Sequence, residues 1–590
     1  MAIKFVLTTT PIRPVPTSYP PVGSTSIIDY LIPYGYDPIF YDIDAFRPKF
    51  EEVVDFFRRE QPDIWGISAV VSTAYRYVKE ITHAVKKVSP NTKIILGGNM
   101  AASAEILHRK CPIDICVIGE GEKPTLNLLR YFEKYKNFEP TEELKAIKGI
   151  TMIDTNNEFL FTGYEVAMEA AALRQPNFEI LEKSSILDRF IHDPILSPNF
   201  VQDRRTFEPH RKGQKAAVLL TSKGCVARCT FCHRWDKGYR VRPVDHIINQ
   251  IKYLKEKYNV GFLMNIDENF GSDIRQVNEL IAAIKPLDVL FSVGGVRVAS
   301  VFKNPQMIRE LKEAGCVAMH FGMETGSPKM LGVMEKRASL EQNVHVAKKL
   351  NEEKMYTIIQ LVIGMPGEND RTVQETIEFA KAATEDMDEP PVERLSINLF
   401  QALPGTPGYE YMRSRGLLGS TMEDEEKYLY TISDVDAASP EHYINISEEP
   451  MSRVLLWQKH ILRETTIHYY KRRNWKVPKT KFLGHSIEKD YARGGYFRIV
   501  KMGMLNSMWY WRFEDIFRTP LYMIRHFKTR KQLYGLANAI KLSLGLMEDP
   551  DNREAFILPG ETSLRQVVKT EDKKPTNISE FNMIPLRAGR

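Results

Sequence analysis

Three of the six cysteines lie within eight residues of one another. Cys225, Cys229 and Cys232 follow the apolar run 216–220 with CxxxCxxC spacing. Three thiolates on one loop can hold an iron-sulfur cluster whose fourth iron has no protein ligand, and that open iron can bind and reduce a substrate. Zinc is the alternative, but it needs four ligands, and His233 directly follows Cys232 and would strain a tetrahedral site. The spacing therefore favours a cluster over zinc.

Further polar residues and glycines follow the predicted strands between residues 206 and 415. Any one of them is typical of a turn or a helix cap, but their recurrence after successive strands indicates a shared site. They are Asp267 and Glu268 after the second strand, Arg297 after the third, Gly322 and Glu324 after the fourth, and Gly364 and Glu368 after the fifth.

Six strand-then-helix units are expected to position these residues. The strands are predicted at 216–220, 262–266, 289–293, 317–321, 357–363 and 394–400, with helical patterns between them. Six such units form an incomplete relative of the eight-unit barrel, whose active sites lie at the carboxyl ends of the strands. We therefore expect the cysteines, acids and glycines to meet at one end of a central barrel over residues 206–415.

Residues 1–140 alternate β-rich runs with helical patterns, which predicts a parallel, doubly wound sheet. Its strands are predicted at 4–8, 38–43, 63–70, 93–96 and 114–118. Ligands of such sheets bind beyond the carboxyl strand ends, where glycines let a bulky ligand approach the backbone. A nucleotide or a flavin would fit this pattern as well as other bulky ligands. The residues at those ends are Gly23, Ser68, Gly97, Gly98, Gly119, Glu120 and Gly121.

The remaining segments carry weaker signals. Residues 141–205 are predicted to form a hairpin around Asn156 and Asn157, followed by a polar linker. Residues 416–590 are expected to be mainly helical, basic and aromatic, with 19 Lys and Arg against 5 Asp and Glu in 451–540 and aromatic clusters at 509–513 and 522–531. Such a region forms a lid, contacts a membrane interface or binds nucleic acid, and no RNA-binding signature supports the last. The final forty or so residues are predicted to be extended or partly disordered.

Composition limits the class of protein. The chain has 590 residues, a net charge of +6 and six cysteines, which do not make a disulfide framework. Cys111, Cys116 and Cys316 are interpreted as small buried hydrophobic residues. No uncharged apolar run of 18 residues occurs and the N-terminus lacks a signal-peptide pattern, so we expect a cytoplasmic protein, with peripheral contact at the inner membrane face as the alternative.

The cysteine spacing, with Phe231 just before Cys232, resembles the signature of the radical S-adenosylmethionine (SAM) superfamily. The stretch 322–327 is similar to its Gly-x-Glu-[Ser/Thr] motif, and 363–368 is similar to its strand-five Gly-x-x-Gly-Glu motif. The N-terminal strand ends resemble the cobalamin-binding domain that precedes many radical SAM domains. The resemblance implies an α/β fold with an N-terminal Rossmann-like cobalamin-binding domain and a central partial (β/α)6 TIM-like barrel, followed by the helical C-terminal region.

The resemblance also implies three cofactors and their binding residues. A [4Fe-4S] cluster would be held by Cys225, Cys229 and Cys232. SAM would be bound by Phe231, Asp267, Glu268, Arg297, Gly322, Glu324, Gly364 and Glu368. Cobalamin would be bound by Gly23, Ser68, Gly97, Gly98, Gly119, Glu120 and Gly121. The Asp-x-His-x-x-Gly motif that supplies a histidine to cobalt in many relatives is absent, since Ile81 and Ile106 precede His83 and His108 by two places, so no axial histidine is expected.

The activity implied by the resemblance is that of a cobalamin-dependent (class B) radical SAM methyltransferase. In such enzymes the reduced cluster cleaves SAM to methionine and a 5′-deoxyadenosyl radical, which removes hydrogen from an unactivated carbon, and methylcobalamin then delivers a methyl group. Cyclisation, oxidation or rearrangement with the same cofactors is the nearest alternative. A cobalamin or cluster carrier without catalysis is the alternative from another class, and methylthio transfer to RNA is a third.

The partners implied are a small-molecule or lipid-like substrate and an external electron donor of the flavodoxin or ferredoxin type. Nucleic acid is not expected. No residue that handles the substrate can be named from the sequence.

Overall fold

A computed structural model describes residues 3–475 apart from gaps at 13–15, 71, 234–237, 434–441 and 450, together with residues 536, 537, 540 and 541. The aromatic clusters at 509–513 and 522–531 and the last forty residues lie outside this described part. The expectations for them therefore stay predictions.

The first sheet has seven strands. They are β1 (Phe5–Thr9), β2 (Ile39–Tyr41), β3 (Ile64–Ser68), β4 (Lys93–Gly97), β5 (Ile115–Val117), β6 (Ile150–Ile153) and β7 (Phe159–Phe161). Their order is β2-β1-β3-β4-β5-β6-β7, with β1 to β5 parallel and β6 and β7 antiparallel. The parallel core and the hairpin are as predicted. The hairpin pairs with β5, however, and so extends the N-terminal sheet beyond residue 140.

Helices cover both faces of this sheet because its side chains alternate between them. Phe5 and Leu7 lie in one buried cluster with Leu129, whereas Val6 lies in another with Val78. The chain is thus doubly wound, as expected. The helices are α1 (Val22–Leu31), α2 (Ile43–Phe46), α3 (Phe50–Glu60), α4 (Tyr75–Val88), α5 (Ala104–Lys110), α6 (Glu122–Tyr135) and α7 (Glu142–Ala146), with α8 (Phe178–Ser184) and α9 (Pro198–Val201) in the linker.

The second sheet is a six-stranded parallel half-barrel in sequence order. Its strands are β8 (Lys215–Leu219), β11 (Val260–Asn265), β12 (Leu290–Val296), β13 (Cys316–Glu324), β14 (Ile359–Ile363) and β15 (Leu395–Leu399). Its helices are α10 (Val244–Tyr258), α11 (Ile274–Ile284), α12 (Val298–Lys303), α13 (Met307–Glu313), α14 (Pro328–Val333), α15 (Leu340–Glu352) and α16 (Asp370–Thr384). All six predicted strands are present. A separate antiparallel pair, β9 (Ser222–Gly224) and β10 (Tyr239–Val241), was not predicted.

The linker closes the end of the half-barrel opposite the cysteines. Phe200 on α9 packs in one cluster with Phe262, Leu290 and Val317, which lie near the amino ends of their strands. The rings of Phe200 and Phe262 are 5.1 Å apart at their centroids. The linker therefore supplies part of the barrel core.

The described C-terminal region is helical, as expected, and packs on α4 of the N-terminal domain and on the barrel. It contains α17 (Pro407–Ser414), α18 (Met422–Thr431) and α19 (Met451–Arg472). On α19, the indole of Trp457 donates to Asp370 Oδ1 at 2.9 Å and the Gln458 amide donates to Ile397 O at 2.8 Å, so this helix covers β15 and α16. Within the described chain, no helix combines the length and the apolar character needed to span a membrane.

Candidate functional site

The cysteine loop begins at the carboxyl end of β8 and is fastened there by Asp267. The carboxylate of Asp267 accepts hydrogen bonds from the backbone N–H of Thr221 at 2.8 Å and from the hydroxyls of Thr221 and Ser222. Burial raises the pKa of Asp267, although these hydrogen bonds oppose the rise. Both oxygens are thus engaged by the chain itself. Asp267 positions the loop, and its role in binding SAM stays a prediction.

Thr230 anchors the middle of the cysteine loop to the other side of the barrel. Its N–H donates to Met334 O at 3.1 Å and its hydroxyl to Val333 O at 3.0 Å, while its carbonyl accepts from the N–H of Gly408 at 2.8 Å. Gly408 lies in the first turn of α17. The loop therefore touches elements after both the fourth and the sixth barrel strands.

The three thiols lie close enough to influence one another. Burial raises the pKa of Cys229, and Cys225 adds to the rise. Although part of Cys232 is exposed, burial and then the Cys229 thiol raise its pKa to about 12. The N–H of Ala227 points at Cys225 Sγ from 3.4 Å, as backbone donors do at cluster sulfurs.

No three His, Cys, Asp or Glu side chains in the described residues converge on a single metal ion. A cluster makes a different demand, because each cysteine binds a separate iron. Three neighbouring thiols on one loop, with a backbone donor to one sulfur, fit that demand.

A buried ion pair stands beside Cys229. Glu324 and Lys336 are 2.7 Å apart, and the Lys336 ammonium lowers the pKa of Cys229 against the effect of burial. The guanidinium of Arg297 donates to Lys336 O at 3.3 Å. A Cβ on Gly322 would lie 2.2 Å from Glu324 Oε1, so a glycine at 322 is what admits the Glu324 side chain. The structure thus brings together three of the predicted SAM residues, and adds Lys336.

Lys336 was missed from the sequence. It lies twelve residues after Glu324, beyond α14, and nothing in its local pattern marks it. Glu324 itself adopts a φ of +63°, which side-chain-bearing residues rarely take. That conformation turns its carboxylate back toward Gly322 and Lys336.

Tyr443 and Glu368 lie against Gly364, which is one of the residues predicted to bind SAM. The Tyr443 hydroxyl donates to Gly364 O at 2.9 Å, and a Cβ on Gly364 would lie 2.6 Å from the Tyr443 ring. Glu368 Oε2 accepts from the N–H groups of Gly364 at 2.5 Å and Met365 at 3.1 Å. Tyr443 thus covers one side of Gly364, and Glu368 closes the turn.

Glu368 is fully buried, and its Oε1 has no hydrogen-bond partner among the described residues. Burial raises its pKa to about 7, against the two backbone donors. Phe231, predicted to bind SAM, is only partly buried and packs against a cluster that includes Phe400 and Tyr409. Both assignments to SAM stay predictions.

A cavity of about 570 Å³ separates the carboxyl edge of the N-terminal sheet from the barrel. Glu268 and Gly224 are part of its barrel wall. No histidine is among the described residues that line it. His83 bonds to Lys79 O, and His108 bonds to Ile113 O and Thr151 Oγ1. The structure brings all seven predicted cobalamin residues to its lining: Gly23, Ser68, Gly97, Gly98, Gly119, Glu120 and Gly121.

Glycines, which have no side chains, shape this cavity. A Cβ at Gly23 or Gly119 would meet nothing within 4 Å, and one at Gly97 only Val117 at 3.9 Å. Gly98 differs, because a Cβ there would lie 2.4 Å from Ala69 O. Three of the glycines thus border open space that side chains would fill, as the cradle of a large flat ligand requires.

Glu120 faces the barrel rather than open space. Its carboxylate pairs with Arg240 at 2.5 Å and with Lys223 at 3.0 Å, and it accepts from the N–H of Met168 at 2.6 Å. Burial alone would raise its pKa, but Arg240 and Lys223 lower it to about 2. Neither basic residue was identified from the sequence, because both lie more than 100 residues away.

Comparison with known proteins gives matches in both regions. The family model of the radical SAM superfamily matches residues 219–380, and that of the B12 binding domain matches residues 9–129. These are the two regions in which the sequence predicted those domains.

Two curated relatives align with most of the described chain. One is an anaerobic magnesium-protoporphyrin IX monomethyl ester cyclase of Cereibacter sphaeroides, 25% identical over 407 residues, which are 68% of this chain and 61% of that protein. The chain thus spans less than two thirds of that relative. The other is an uncharacterized methyltransferase of Pyrococcus horikoshii, 24% identical over 413 residues, covering 69% of this chain and 81% of that one.

A solved structure shares the fold. The radical SAM methyltransferase TsrM from Kitasatospora setae, with cobalamin and a [4Fe-4S] cluster bound, matches with a TM-score of 0.58 and 15% identity. The match covers 88% of this chain and all of that one. At that identity the likeness concerns the fold.

Proposed function

We propose that this chain, a radical SAM protein with an N-terminal B12-binding domain, is a cobalamin-dependent methyltransferase that acts on an unactivated carbon. One observation carries the proposal. Ser222, Lys223 and Gly224 line the large cavity, and Gly224 directly precedes Cys225. The candidate cobalamin cavity and the candidate cluster loop therefore share a wall, as a reaction that uses both cofactors on one substrate requires.

The residues on each side suit their cofactors. Cys225, Cys229 and Cys232 would hold a [4Fe-4S] cluster. Glu324 and Lys336 offer an anion and a cation beside Cys229, which match the ammonium and carboxylate groups of SAM. The open glycine edge of the N-terminal sheet would hold cobalamin, and the positioning of the remaining predicted residues around these cofactors is part of the proposal.

When bound, the cluster with SAM supplies a carbon radical and cobalamin supplies a methyl group. The chain's part is to bind, orient and exclude water. Asp267 and Thr230 fix the cysteine loop at two points, which limits where SAM can lie. Lys336 balances the charge of buried Glu324.

We assign a small-molecule substrate to this site, together with a one-electron donor of the flavodoxin or ferredoxin type. Val226 and Arg228 are exposed on the outer side of the cysteine loop, where such a donor would approach. A cytoplasmic location and peripheral membrane contact through the C-terminal region are further parts of the proposal. Flotation with anionic liposomes tests the membrane part: equal binding by the intact chain and a chain truncated after residue 475 would refute it.

A second candidate is supported by the cyclase relative of Cereibacter sphaeroides. A cyclase, oxidase or rearrangement enzyme would use the same cluster, SAM and cobalamin sites without transferring a methyl group. A carrier without catalysis is disfavoured, because the relatives named above are a cyclase and a methyltransferase, both of them enzymes.

The decisive experiment is anaerobic reconstitution with iron, sulfide and cobalamin, followed by turnover with SAM and dithionite. Metal analysis should find cobalt alongside iron. We expect both S-adenosylhomocysteine, from transfer of the methyl group of one SAM to reduced cobalamin, and 5′-deoxyadenosine, from reductive cleavage of another SAM. 5′-Deoxyadenosine alone would favour the second candidate, and no SAM cleavage would favour a carrier.

Matched cysteine variants separate the cluster from general damage. Cys229→Ala should lose iron and SAM cleavage. Cys316→Ala, at a buried free cysteine on β13, should keep both. If the two variants behave alike, the cysteine assignment is wrong.

A further inference from the structure

Two arginines lie at the short strand β10. Arg240 is its middle residue, and Arg242 is the first residue after it. β10 pairs with β9, and the cysteine loop is the connection between these two strands. Whatever holds β10 and β9 therefore holds both ends of the cysteine loop.

Arg240 binds the loop that follows β5 of the N-terminal sheet. Its Nη2 is 2.5 Å from Glu120 Oε1 and its Nη1 is 3.2 Å from Glu120 Oε2, which is a two-point contact between fork and carboxylate. From β9, Lys223 reaches the same carboxylate at 3.0 Å. Both strands that flank the cysteines thus contact one acid of the cobalamin domain.

The second arginine extends this contact to the linker. The guanidinium of Arg242 donates to the carbonyls of Leu173 and Arg174, and Arg240 Nη1 donates to Met168 O at 2.5 Å. Leu173 and Arg174 also line the large cavity. Arg240 and Arg242 therefore hold the linker against the barrel, and Arg240 holds Glu120 there too.

Burial makes the Glu120 contact strong. The side chains of Glu120 and Arg240 are only 9% and 16% exposed. Charges that are shielded from water attract one another more strongly than surface pairs do. The lowered pKa of Glu120, about 2, means that the pair persists across physiological pH. The contact is thus an ion pair between two largely buried side chains at physiological pH.

Glu120 stands between two glycines of the cavity wall. Gly119 borders open space, and Gly121 lines the cavity on the other side of Glu120. A movement of Glu120 would therefore move the wall against which cobalamin is proposed to lie. The same contact bears on the start of the cysteine loop through Lys223, two residues before Cys225.

We propose that the Glu120–Arg240 pair is a clamp that fixes the position of the cobalamin-binding loop relative to the cysteine loop. Arg240 is a positioning residue: it couples SAM cleavage in the barrel to methyl transfer from the neighbouring cavity. The coupling part rests on the proposed function, whereas the mechanical link between the two loops does not.

The test compares Arg240→Gln and Arg240→Lys with Lys110→Gln. Lys110 makes another ion pair between the N-terminal domain and the rest of the chain, to Glu423 at 2.8 Å on α18, and it does not line the cavity. It is therefore a matched control for loss of an interdomain ion pair as such.

The first readout is hydrogen exchange of the protein without cofactors. In Arg240→Gln, we expect peptides covering 117–124 and 221–233 to exchange at least about 10-fold faster together. Lys110→Gln should leave both unchanged, and Arg240→Lys should fall between. Faster exchange in only one of the two segments, or in neither, would overturn the mechanical link.

The second readout is the ratio of S-adenosylhomocysteine to 5′-deoxyadenosine in the reconstituted holoenzyme. Because small misplacements of reacting groups cost up to 100-fold, we expect Arg240→Gln to lower this ratio about 10- to 100-fold while SAM is still cleaved. A merely structural role would lower both products equally, and that result would overturn the coupling. If Arg240→Gln does not fold, the same criteria apply to Arg240→Lys.

The two proposals fail separately. Absence of bound cobalt in the wild-type protein would remove the proposed function, while the exchange data would still decide the link between the loops. Cobalt and methyl transfer with an unchanged product ratio in the variants would remove the clamp alone.

Discussion

The carboxyl ends of the two parallel sheets are built in opposite ways. At the N-terminal sheet, Gly23, Gly97 and Gly119 border open space. At the barrel, Asp267 and Glu324 are occupied by partners from the chain itself. One edge is shaped by the absence of side chains, and the other by side chains that hold the backbone in place.

The difference follows from what each edge is proposed to bind. A large, flat ligand needs volume, and glycines provide it at little cost in polar contacts. A cluster with SAM needs several loops fixed relative to one another, and buried acids do this through hydrogen bonds to loop N–H and hydroxyl groups. An acid that follows a barrel strand is therefore as much a fastener as a ligand.

The largest expected effect comes from removing a cluster cysteine, which should affect the barrel edge and not the edge of the N-terminal sheet. Cys229→Ala should reduce iron to background and stop SAM cleavage, but it should leave cobalamin binding intact, because Cys229 is not part of the cavity lining. Metal analysis for iron and cobalt on one sample measures both. Loss of cobalt together with iron would mean that the two edges form one inseparable site.

A second variant fills the other edge. Gly97→Val should lower cobalamin affinity about 10- to 100-fold, because the new side chain enters open space of the cavity while its Cβ meets the chain no closer than 3.9 Å. Iron content should not change. Gly332→Val, at an exposed glycine with nothing within 4 Å, is the control and should keep both cofactors.

A third variant removes a fastener from the barrel edge. Lys336→Met leaves Glu324 buried without its cation, which should cost about 3–5 kcal/mol in the free energy of unfolding. Denaturant titration measures this, and adding Glu324→Gln should recover part of the loss. Lys349→Met, which removes surface pairs with Glu352 and Glu353, should change the free energy of unfolding far less. If Lys336→Met and Lys349→Met lose equal free energy of unfolding, then Glu324 is exposed to water.

The smallest effect is a pH dependence from Glu368. Its pKa in the folded chain, about 7, is above the ordinary value of 4.5, so the folded state loses stability as pH rises from 4.5 through 7, by up to about 3 kcal/mol. Glu368→Gln should remove that loss and flatten the change in Tm between pH 5 and pH 8. Glu341→Gln, at an exposed position of α15, should leave the wild-type pH profile unchanged. If both variants keep the wild-type dependence of Tm on pH, then burial of Glu368 is not its cause.

Local sequence patterns were sufficient to predict the parallel strands of both sheets. Alternating strand and helix signals predicted the five parallel N-terminal strands and the six barrel strands, because each pattern extends over only five to fifteen neighbouring residues. The glycines and Ser68 at the strand ends were found in the same way, since parallel strands bring their carboxyl ends to one edge. The pairing of the hairpin with β5 was not found, because strand partners are chosen by packing.

The contacts that position the site residues were not predicted from the sequence, because they join segments that are far apart along the chain. Arg240 and Glu120 are 120 positions apart, and Tyr443 meets Gly364 across 79 positions. β9 and β10 have only three residues each and include Lys223 and Arg240, so no apolar alternation marks them.

The sequence by itself predicted the cluster and the cofactor sites, because cysteine spacing and glycines at strand ends are local patterns that can be recognised without the fold. Only the tertiary structure decided which predicted residues border open space and which hold the chain. Asp267 is such a case, because its oxygens are taken by Thr221 and Ser222, which come from another strand. Whether a polar atom is satisfied depends on what the fold brings within 3 Å of it, and no spacing along the chain records that.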